Sequence, residues 1–385
     1  MSSLTDLNRE WLHVFVAGPG KGEGIAVALP NEGWLFIDGC ATSDGKPLRR
    51  LYDRFATVSE PVVGVIWTHP HQDHADGVAE LIAELSPGFV GIAGADADSV
   101  VEAWLRGARL RGDRRATSTA LKENVVGRAM KSIEYLLGED PNGLIRLHSG
   151  IALPMPSGIT ATVRGPERKE LLAYLVSLRL TGDFDDVNDF STVVELEFEK
   201  TRIVLGADLP RFSNGAVVAT GWERVVHEAP QLGTHSGLKL PHHGSREAFH
   251  PDLHFSPVGR GPWWLTPFNS ADLPRLDEST GLPRLLREQS PISLTALPAS
   301  REEQSAVEQP GVVRLDQIRR RRGAQSGVPF IDGSLVVTPP ATMGALDPVW
   351  CCAFDSEDAV RGRWRGSVAI DVVPARAKPK KRTKR

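Results

Sequence analysis

One short segment of the sequence concentrates side chains that commonly bind metal ions. His69, His71, Asp73 and His74 fall within THPHQDHADG, directly after the apolar run PVVGVIWT. Imidazole and carboxylate groups are the usual protein ligands of Zn²⁺ and related divalent ions. On a tight loop, His69 and His71 can face one ion while Asp73 and His74 turn toward a second. Because the whole chain has only 11 histidines, a metal site explains this cluster better than a polar surface loop does.

Two divalent ions held in this way predict hydrolytic chemistry. A water molecule that bridges ions roughly 3.5 to 4 Å apart becomes a hydroxide nucleophile near neutral pH, and the metals stabilise the anionic transition state. Asp73 is expected to orient this hydroxide as well as to bind metal, which makes it the candidate catalytic residue. The expected cofactors are two divalent ions, Zn²⁺ or Mn²⁺. The ligands alone do not choose among a phosphodiester, an ester, a lactone and a lactam as substrate.

The elements around this segment alternate between strand-like and helix-like sequence. Apolar runs separated by glycine clusters predict a three-stranded meander over residues 11–38, in which GPGKGEG forms a hairpin turn beside the site. A buried strand is predicted at 61–68, and apolar residues at helical spacing predict a helix at 77–86. Residues 96–138 read as a helical insertion. Strands interleaved with helices, without a strict βαβ period, favour two sheets covered by helices.

The HxHxDH string resembles the signature of the metallo-β-lactamase superfamily, and further motifs follow in that family's order. Asp38 ends the opening strands, Asp208 follows a hydrophobic strand in GADL, and His242 and His243 lie in LKLPHHGS. The resemblance implies an α+β fold, an αββα sandwich with the metals at the edge between its sheets. It also implies that Asp208 bridges both ions, that His242 or His243 is the last ligand, and that Asp38 supports the site.

Within that superfamily the sequence is most similar to the hydrolase domain of the bacterial DNA-uptake (competence) channel protein. The stretch VNDFSTVVELEFEKTRIVLGADL follows that group's asparagine-x-x-serine pattern through Asn188 and Ser191, which are therefore predicted supporting residues. Many family members have another metal-binding histidine before the bridging aspartate. Here that stretch offers only His148, in a strand context. We therefore expect the His69 and His71 site to lack one protein ligand and to be completed by water or Asn188.

The resemblance favours a metal-dependent hydrolase of phosphodiester bonds, with nucleic acid or another anionic phosphodiester as its partner. An Arg-rich stretch at 106–115 and seven bases within 376–385 can neutralise phosphates. Against this, the rest of the chain has 38 bases and 48 acids, and the tail has no aromatic residues for base stacking. A hydrolase of a small lactone, thioester or phosphate ester is the alternative. A non-catalytic scaffold that retains the fold is the third hypothesis.

The sequence also predicts how the chain is divided and where it works. A hydrolase domain at 10–298 is followed by a linker at 299–326, a small β appendage at 327–373 that can recruit a protein partner, and a disordered basic tail at 374–385. Three cysteines do not make a disulfide framework, the N-terminus does not resemble a signal peptide, and no apolar run reaches roughly 18 residues. These features predict a cytoplasmic protein without a membrane segment. His235, His250 and His254 are expected to face solvent.

Overall fold

The computed structural model describes most of the first 295 residues and four strands beyond them. The described residues are 6–18, 22–41, 45–58, 60–95, 98–99, 102–103, 125–139, 143–181, 187–212, 220–254, 262–268, 271, 273–275, 281–282, 284–285, 292–295, 333–338, 349–354, 360–365 and 369–374. The predicted linker at 299–326 and residues 375–385 of the tail therefore lie outside them, as do the arginines at 106–115.

The first sheet begins with the predicted meander and continues with parallel strands. Strands β1 (Leu12–Ala17), β2 (Gly24–Leu29) and β3 (Gly33–Asp38) pair antiparallel. Next to β3 lie β4 (Val62–Trp67), then β5 (Val90–Ala95), both parallel to it; β5 also pairs with β6 (Asp98–Ser99) and β7 (Leu144–Leu147). The meander and the buried strand at 61–68 are confirmed.

The second sheet has the same plan, an antiparallel part followed by a parallel part. Strands β8 (Ile159–Gly165), β9 (Val193–Phe198) and β10 (Thr201–Leu205) pair antiparallel. Strands β11 (Gly237–Lys239), β12 (Trp263–Leu265) and β13 (Ile292–Leu294) follow β10 in parallel. Each sheet thus presents carboxyl ends of parallel strands, where polar loops can converge.

The strands of the predicted β appendage are added to the two sheets. Strands β15 (Val349–Phe354) and β16 (Val360–Arg365) extend the first sheet beyond β1, whereas β17 (Ala369–Pro374) pairs with β13 and with β14 (Gly333–Thr338). With them the sheets contain nine and eight strands among the described residues. This part of the chain therefore forms the outer strands of both sheets, while the domain boundaries themselves stay predictions.

Helices cover the outer face of each sheet. The helices are α1 (Pro47–Phe55), α2 (Gln72–Ala75), α3 (Val78–Leu85), α4 (Val125–Glu139), α5 (Arg168–Thr181), α6 (Gly221–Glu228) and α7 (Pro251–His254). Of these, α3 confirms the helix predicted at 77–86, and α4 lies at the end of the predicted insertion, whose residues 104–124 lie outside the described part. No described helix has the length and apolarity that a membrane crossing needs.

The core has three main layers, which follow from the two-residue period of the strands. Along β1, Val14 faces the second sheet and packs in a cluster with Leu196 and Trp264, whereas Phe15 faces the helices in a cluster that includes α1, α3 and α4. A third cluster packs α6 and α7, through Trp222 and its neighbours, on the other face of the second sheet. These layers confirm the αββα sandwich and explain why the strands read as continuous apolar runs.

Candidate metal centre

The candidate ligands lie at one edge of the sandwich, just beyond the carboxyl ends of strands in both sheets. From the first sheet, Asp38 ends β3 and His69 comes two residues after β4. From the second, Asp208 follows β10 and His243 follows β11. The two sheets thus bring together residues that are far apart in the sequence, and His243 Nε2 lies 3.0 Å from Asp73 Oδ2.

The HxHxDH loop folds into a single helical turn, α2. His71 has extended backbone before the turn, and Asp73 and His74 lie on the turn itself, where both are buried. The end of the GPGKGEG segment packs directly against it, because Glu23 N donates to Asp73 O over 2.9 Å. A Cβ atom at Gly22 would lie 2.4 Å from Asp73 O, so this approach requires glycine. The described end of the predicted turn, Gly22 and Glu23, is therefore in contact with the site.

The ligand atoms form two groups that share one carboxylate. The inner group consists of His74, His243 and Asp208 together with Glu23, whose carboxylate is nearest to Nδ1 of the two rings. The outer group consists of His69, His71 and Asp208. Within each group the candidate ligand atoms lie within 4.8 Å of one another. In the inner group, Asp208 Oδ2 is 3.3 Å from His74 Nε2 and 3.4 Å from His243 Nε2. Two cations sharing Asp208 is the arrangement that the resemblance implies.

Several buried polar atoms in these groups have no hydrogen-bond partner in the described part of the chain. They are His69 Nε2, His71 Nδ1, Asp73 Oδ1, His74 Nε2 and Asp208 Oδ1. Asp73 Oδ1 is 3.1 Å from His71 Nδ1 without making such a bond. Burying a polar atom unsatisfied costs about 1–3 kcal/mol, so a cluster of five such atoms indicates a missing partner. Because all five are metal-ligating types, the residues fit a bound divalent metal centre.

The electrostatics of the two groups differ. Burial lowers the pKa of His74 and of His243, but the surrounding carboxylates, Asp208 foremost, raise it by more. The pKa of His74 therefore lies well above 6.5, and that of His243 is raised to about 10. Burial and the neighbouring His74 instead hold the pKa of His69 well below 6.5. The inner group of the metal-free protein is therefore a set of ion pairs, whereas His69 is a neutral imidazole.

Asp38 supports both groups from behind. Its Oδ2 accepts from His74 Nδ1 and from Thr68 Oγ1, each over 2.7 Å, and its Oδ1 accepts from Thr68 N over 2.7 Å. These contacts fix the His74 ring so that Nε2 faces Asp208. Thr68 Oγ1 in turn lies 3.0 Å from His69 Nδ1. Asp38 has a left-handed backbone (φ 57°), a strained conformation of the kind found where a side chain must be aimed.

The neighbouring histidines of LKLPHHGS point to different places. His243 is buried and belongs to the inner group, whereas His242 lies with its Nε2 3.4 Å from Asn188 Nδ2 and its Nδ1 3.2 Å from Ser245 Oγ. Both have left-handed backbone, φ 46° and 51°, which turns successive side chains apart. Ser191 is fully buried, and Thr192 N donates to Thr68 O, which places this segment beside the HxHxDH loop.

The sequence interpretation missed two buried charged residues behind the inner group. Glu23 and Lys239 are 2% and 0% exposed and form an ion pair. The signal available in the sequence was a carboxylate in a glycine turn beside the site and a lysine inside a buried strand. The expectation that His235, His250 and His254 face solvent was wrong. All three are buried on the far side of the second sheet, where the apolar cluster around Trp222 covers α7. His235 and His254 contact Trp263, and His250 contacts His254.

Comparisons with known proteins find similar structures but no relatives in sequence. No family model matches the chain, and no curated protein matches it. The metallo-beta-lactamase fold protein YhfI from Bacillus subtilis is similar over 67% of this chain and 86% of its own, at 13% identity and a TM-score of 0.35. CmlA, a diiron beta-hydroxylase from Streptomyces venezuelae, is similar over 61% of this chain and 35% of its own, at 13% identity and a TM-score of 0.32.

A third similar structure is MEM-A1, a subclass B3 metallo-beta-lactamase from a soil metagenome library. It is similar over 59% of this chain and 75% of its own, at 14% identity and a TM-score of 0.30. At such low TM-scores these similarities carry no conclusion about activity. The functional proposal therefore depends on the geometry of the site.

Proposed function

We propose that this chain is a metal-dependent hydrolase with a centre for two divalent ions. The observation that carries the proposal is the buried carboxylate of Asp208, shared between two ligand groups whose facing atoms have no hydrogen-bond partner in the described part of the chain. In this proposal His69 and His71 hold one ion, and Asp73, His74 and His243 hold the other. Bound divalent ions would supply a nucleophile at neutral pH and stabilise an anionic transition state.

Asp73 is the proposed catalytic residue because it stands between the two groups. Its Oδ2 lies 3.0 Å from His243 Nε2, and its Oδ1 lies 3.1 Å from His71 Nδ1. Burial raises the pKa of Asp73, but His74 and His243 lower it by more, so this carboxylate is ionised and can accept a hydrogen bond from a reacting water. Orienting that water toward the substrate is the role proposed for it.

Substrate enters, in this proposal, from the side of the outer group. His69, His74, Asp208 and His243 are buried, whereas the His71 side chain is 40% exposed and Asn188 and His242 are partly exposed. The three partly exposed residues all carry groups that can contact a polar substrate. Asn188 Nδ2 and His242 Nε2 are therefore proposed to line the entrance and to position the substrate. Ser191 is proposed to support this wall from within.

A phosphodiester is the proposed substrate class, with nucleic acid as the foremost example. The proposal is supported by the likeness of the Asn188–Ser191 pattern and of LKLPHHGS to the DNA-uptake hydrolase domain. The Arg-rich stretch at 106–115 and the basic tail support it through their charge. Two bound divalent ions also suit the in-line displacement at a phosphorus atom, because they stabilise the attacking and the leaving oxygen together.

A metal analysis combined with three substrates tests the proposal. Purified protein would be stripped with a chelator, reloaded with Mn²⁺ or Zn²⁺, and assayed on bis(p-nitrophenyl) phosphate, on p-nitrophenyl butyrate and on a labelled single-stranded oligonucleotide. Two metal equivalents with diester hydrolysis that vanishes on chelation would support it. Hydrolysis of the carboxylic ester alone would favour a small-ester hydrolase. Two bound equivalents with no turnover of any substrate would favour the scaffold hypothesis.

A further inference from the structure

Behind the inner group, a buried ion pair joins the two sheets. Glu23 immediately precedes β2 of the first sheet, and Lys239 is the last residue of β11 in the second. The ammonium of Lys239 contacts Glu23 Oε2, and both side chains are almost completely buried. Ion pairs buried to this extent are weak evidence of stabilisation, because desolvating both charges offsets most of their attraction. A positioning function is the better explanation of this pair.

The same carboxylate is attached to residues that hold His243. Thr266, which follows β12, donates its hydroxyl to Glu23 Oε2, and its carbonyl oxygen accepts from His243 Nδ1 over 2.8 Å. Because a carbonyl oxygen only accepts, Nδ1 of His243 keeps its proton, and the Nε2 proton is the one that a bound metal would replace. Thr266 is thus fixed at its side chain by Glu23 and fixes the orientation of His243 through its backbone.

Glu23 approaches the histidines from the side opposite the metal-facing atoms. Its Oε2 lies 3.6 Å from His243 Nδ1, and its Oε1 lies 3.9 Å from His74 Nδ1, whereas Nε2 of each ring faces Asp208. The backbone N–H of Glu23 also donates to Asp73 O. On the other side of the pair, Lys239 Nζ reaches the carbonyl oxygen of Gly206, two residues before Asp208.

From this geometry we infer that Glu23 is a positioning residue for the metal centre. It aligns ligands of the first sheet (Asp73, His74) with those of the second (Asp208, His243), using Lys239 and Thr266 as its anchors on the second sheet. The inference rests on the proposed two-ion centre but concerns metal affinity, whatever the substrate is. Hydrogen-bonded outer partners of metal ligands commonly change metal affinity by about 10–100-fold, which sets the expected effect.

The test compares Glu23→Gln with a matched control, Glu195→Gln. Glu195 is also buried in an ion pair, with Arg164 and Arg202 at 2.5 and 2.7 Å, but on β9 and away from the ligands. Metal-stripped proteins would be titrated with Zn²⁺ against a chromophoric chelator, and their thermal midpoints would be recorded with and without Zn²⁺. Wild type must first bind two equivalents, and a failure at that step would count against the proposed function, separately from the role of Glu23.

We expect Glu23→Gln to keep two equivalents at saturating Zn²⁺ while the Kd of one of them rises about 10–100-fold. Glu195→Gln is expected to lower the thermal midpoint of the metal-free protein and to leave both Kd values at wild-type levels. An unchanged Kd in Glu23→Gln would overturn the inference. Loss of one equivalent at saturation would also overturn it, because Glu23 would then be a ligand.

Two further variants keep the inference testable if Glu23→Gln does not fold. Thr266→Val removes one hydrogen bond to Glu23 while both charges stay, and it should raise the same Kd several-fold. Glu23→Gln combined with Lys239→Met removes both charges, so it should restore folding without restoring metal affinity. A wild-type Kd in either folded variant would mean that the pair does not position the ligands.

Discussion

The inner and outer ligand groups share Asp208 but differ in how the protein surrounds them. In the inner group every candidate ligand is buried, and Asp38, Glu23 and the carbonyl of Thr266 contact the Nδ1 side of its two imidazoles. In the outer group the His71 side chain is 40% exposed. The contact behind His69 is the hydroxyl of Thr68, at 3.0 Å from Nδ1.

From this difference we expect the two ions of the proposed centre to have different roles. Buried ligands with carboxylates behind them bind a cation tightly, because the carboxylates orient the rings and raise their basicity. Open ligands with fewer outer partners leave coordination positions to water and substrate. We therefore expect a tightly held inner ion and an exchangeable outer ion, in agreement with the sequence expectation that the His69 and His71 site lacks a ligand. Four predictions on metal binding and catalysis test this expectation, beginning with the largest effect, and a fifth concerns the stability of the metal-free protein.

Asp208→Ala should remove the carboxylate that belongs to both groups. We expect metal content to fall from two equivalents to less than one, and hydrolysis of bis(p-nitrophenyl) phosphate to fall by several orders of magnitude. Elemental analysis after gel filtration measures the first effect, and the diester assay measures the second. Two full equivalents in this variant would contradict the shared position of Asp208 and would make the two groups independent sites.

Asp73→Asn should separate catalysis from metal binding. The amide keeps the size of the side chain but removes the negative charge and one acceptor oxygen, so it should orient a reacting water poorly. The rate of diester hydrolysis should therefore fall by about 10²–10⁴-fold. Metal content should fall by at most one equivalent, and the circular dichroism spectrum should match wild type. Wild-type rates in Asp73→Asn at saturating metal would remove this residue from the catalytic role.

His71→Ala and His243→Ala probe the two groups directly. His71→Ala should lose the weaker equivalent and keep the tight one, with little change in the thermal midpoint of the remaining metal-bound form. His243→Ala should weaken the tight equivalent and lower the metal-dependent rise in thermal midpoint. Competition titrations with a chelator distinguish the two. If His71→Ala lost the tight equivalent instead, the assignment of inner and outer ions would be reversed.

The smallest predicted effect is a difference in proton release. The raised pKa values of His74 and His243 mean that both are protonated at pH 7 without metal, so uptake of the inner ion should release about two protons. His69 is already neutral, and the outer ion should release none from it. Titration calorimetry in buffers of different ionisation enthalpy counts the protons. Equal release for both ions would contradict the electrostatic contrast.

The same pKa values set the pH dependence of stability in the metal-free protein. His243 is raised from 6.5 to about 10, so its contribution is fully present below pH 6.5 and is lost as pH rises toward 10. The unfolding free energy of stripped protein should therefore fall by a few kcal/mol across that window. The metal-loaded protein should not show this fall, since metal replaces the protons. Chemical unfolding at several pH values, with and without Zn²⁺, provides the measurement.

The sequence predicted the parts of this molecule that depend on local pattern. Hydrophobic periodicity and residue composition are local properties of a sequence. They are sufficient to predict the HxHxDH segment, the meander at 11–38 and the helix at 77–86. The sequence pattern does not predict strand β16, because VRGRWR alternates uncharged residues with arginine and has no continuous apolar run. The pairing of β15 with β1, across more than 300 residues, is a property of the folded chain that a pattern does not contain.

The same distinction holds within the candidate centre. His242 and His243 are adjacent and chemically identical, so only the left-handed backbone at both positions separates the residue near Asn188 from the one near Asp208. No local pattern marks Lys239 as part of the centre, because a buried lysine is recognisable only when its partner is known. Glu23 is that partner, and 216 positions separate the two in the sequence.

The separation in sequence between the ligands has a consequence for how this centre forms. Asp73 and His243 are 170 positions apart, and their contact requires that both sheets be complete and docked. Contacts of such long range are made late, because the chain must first lose the entropy of a large loop. Metal uptake during refolding should therefore occur later than the recovery of the circular dichroism signal of helices and strands. A metal-sensitive dye added to refolding protein would then report the time at which the two sheets dock.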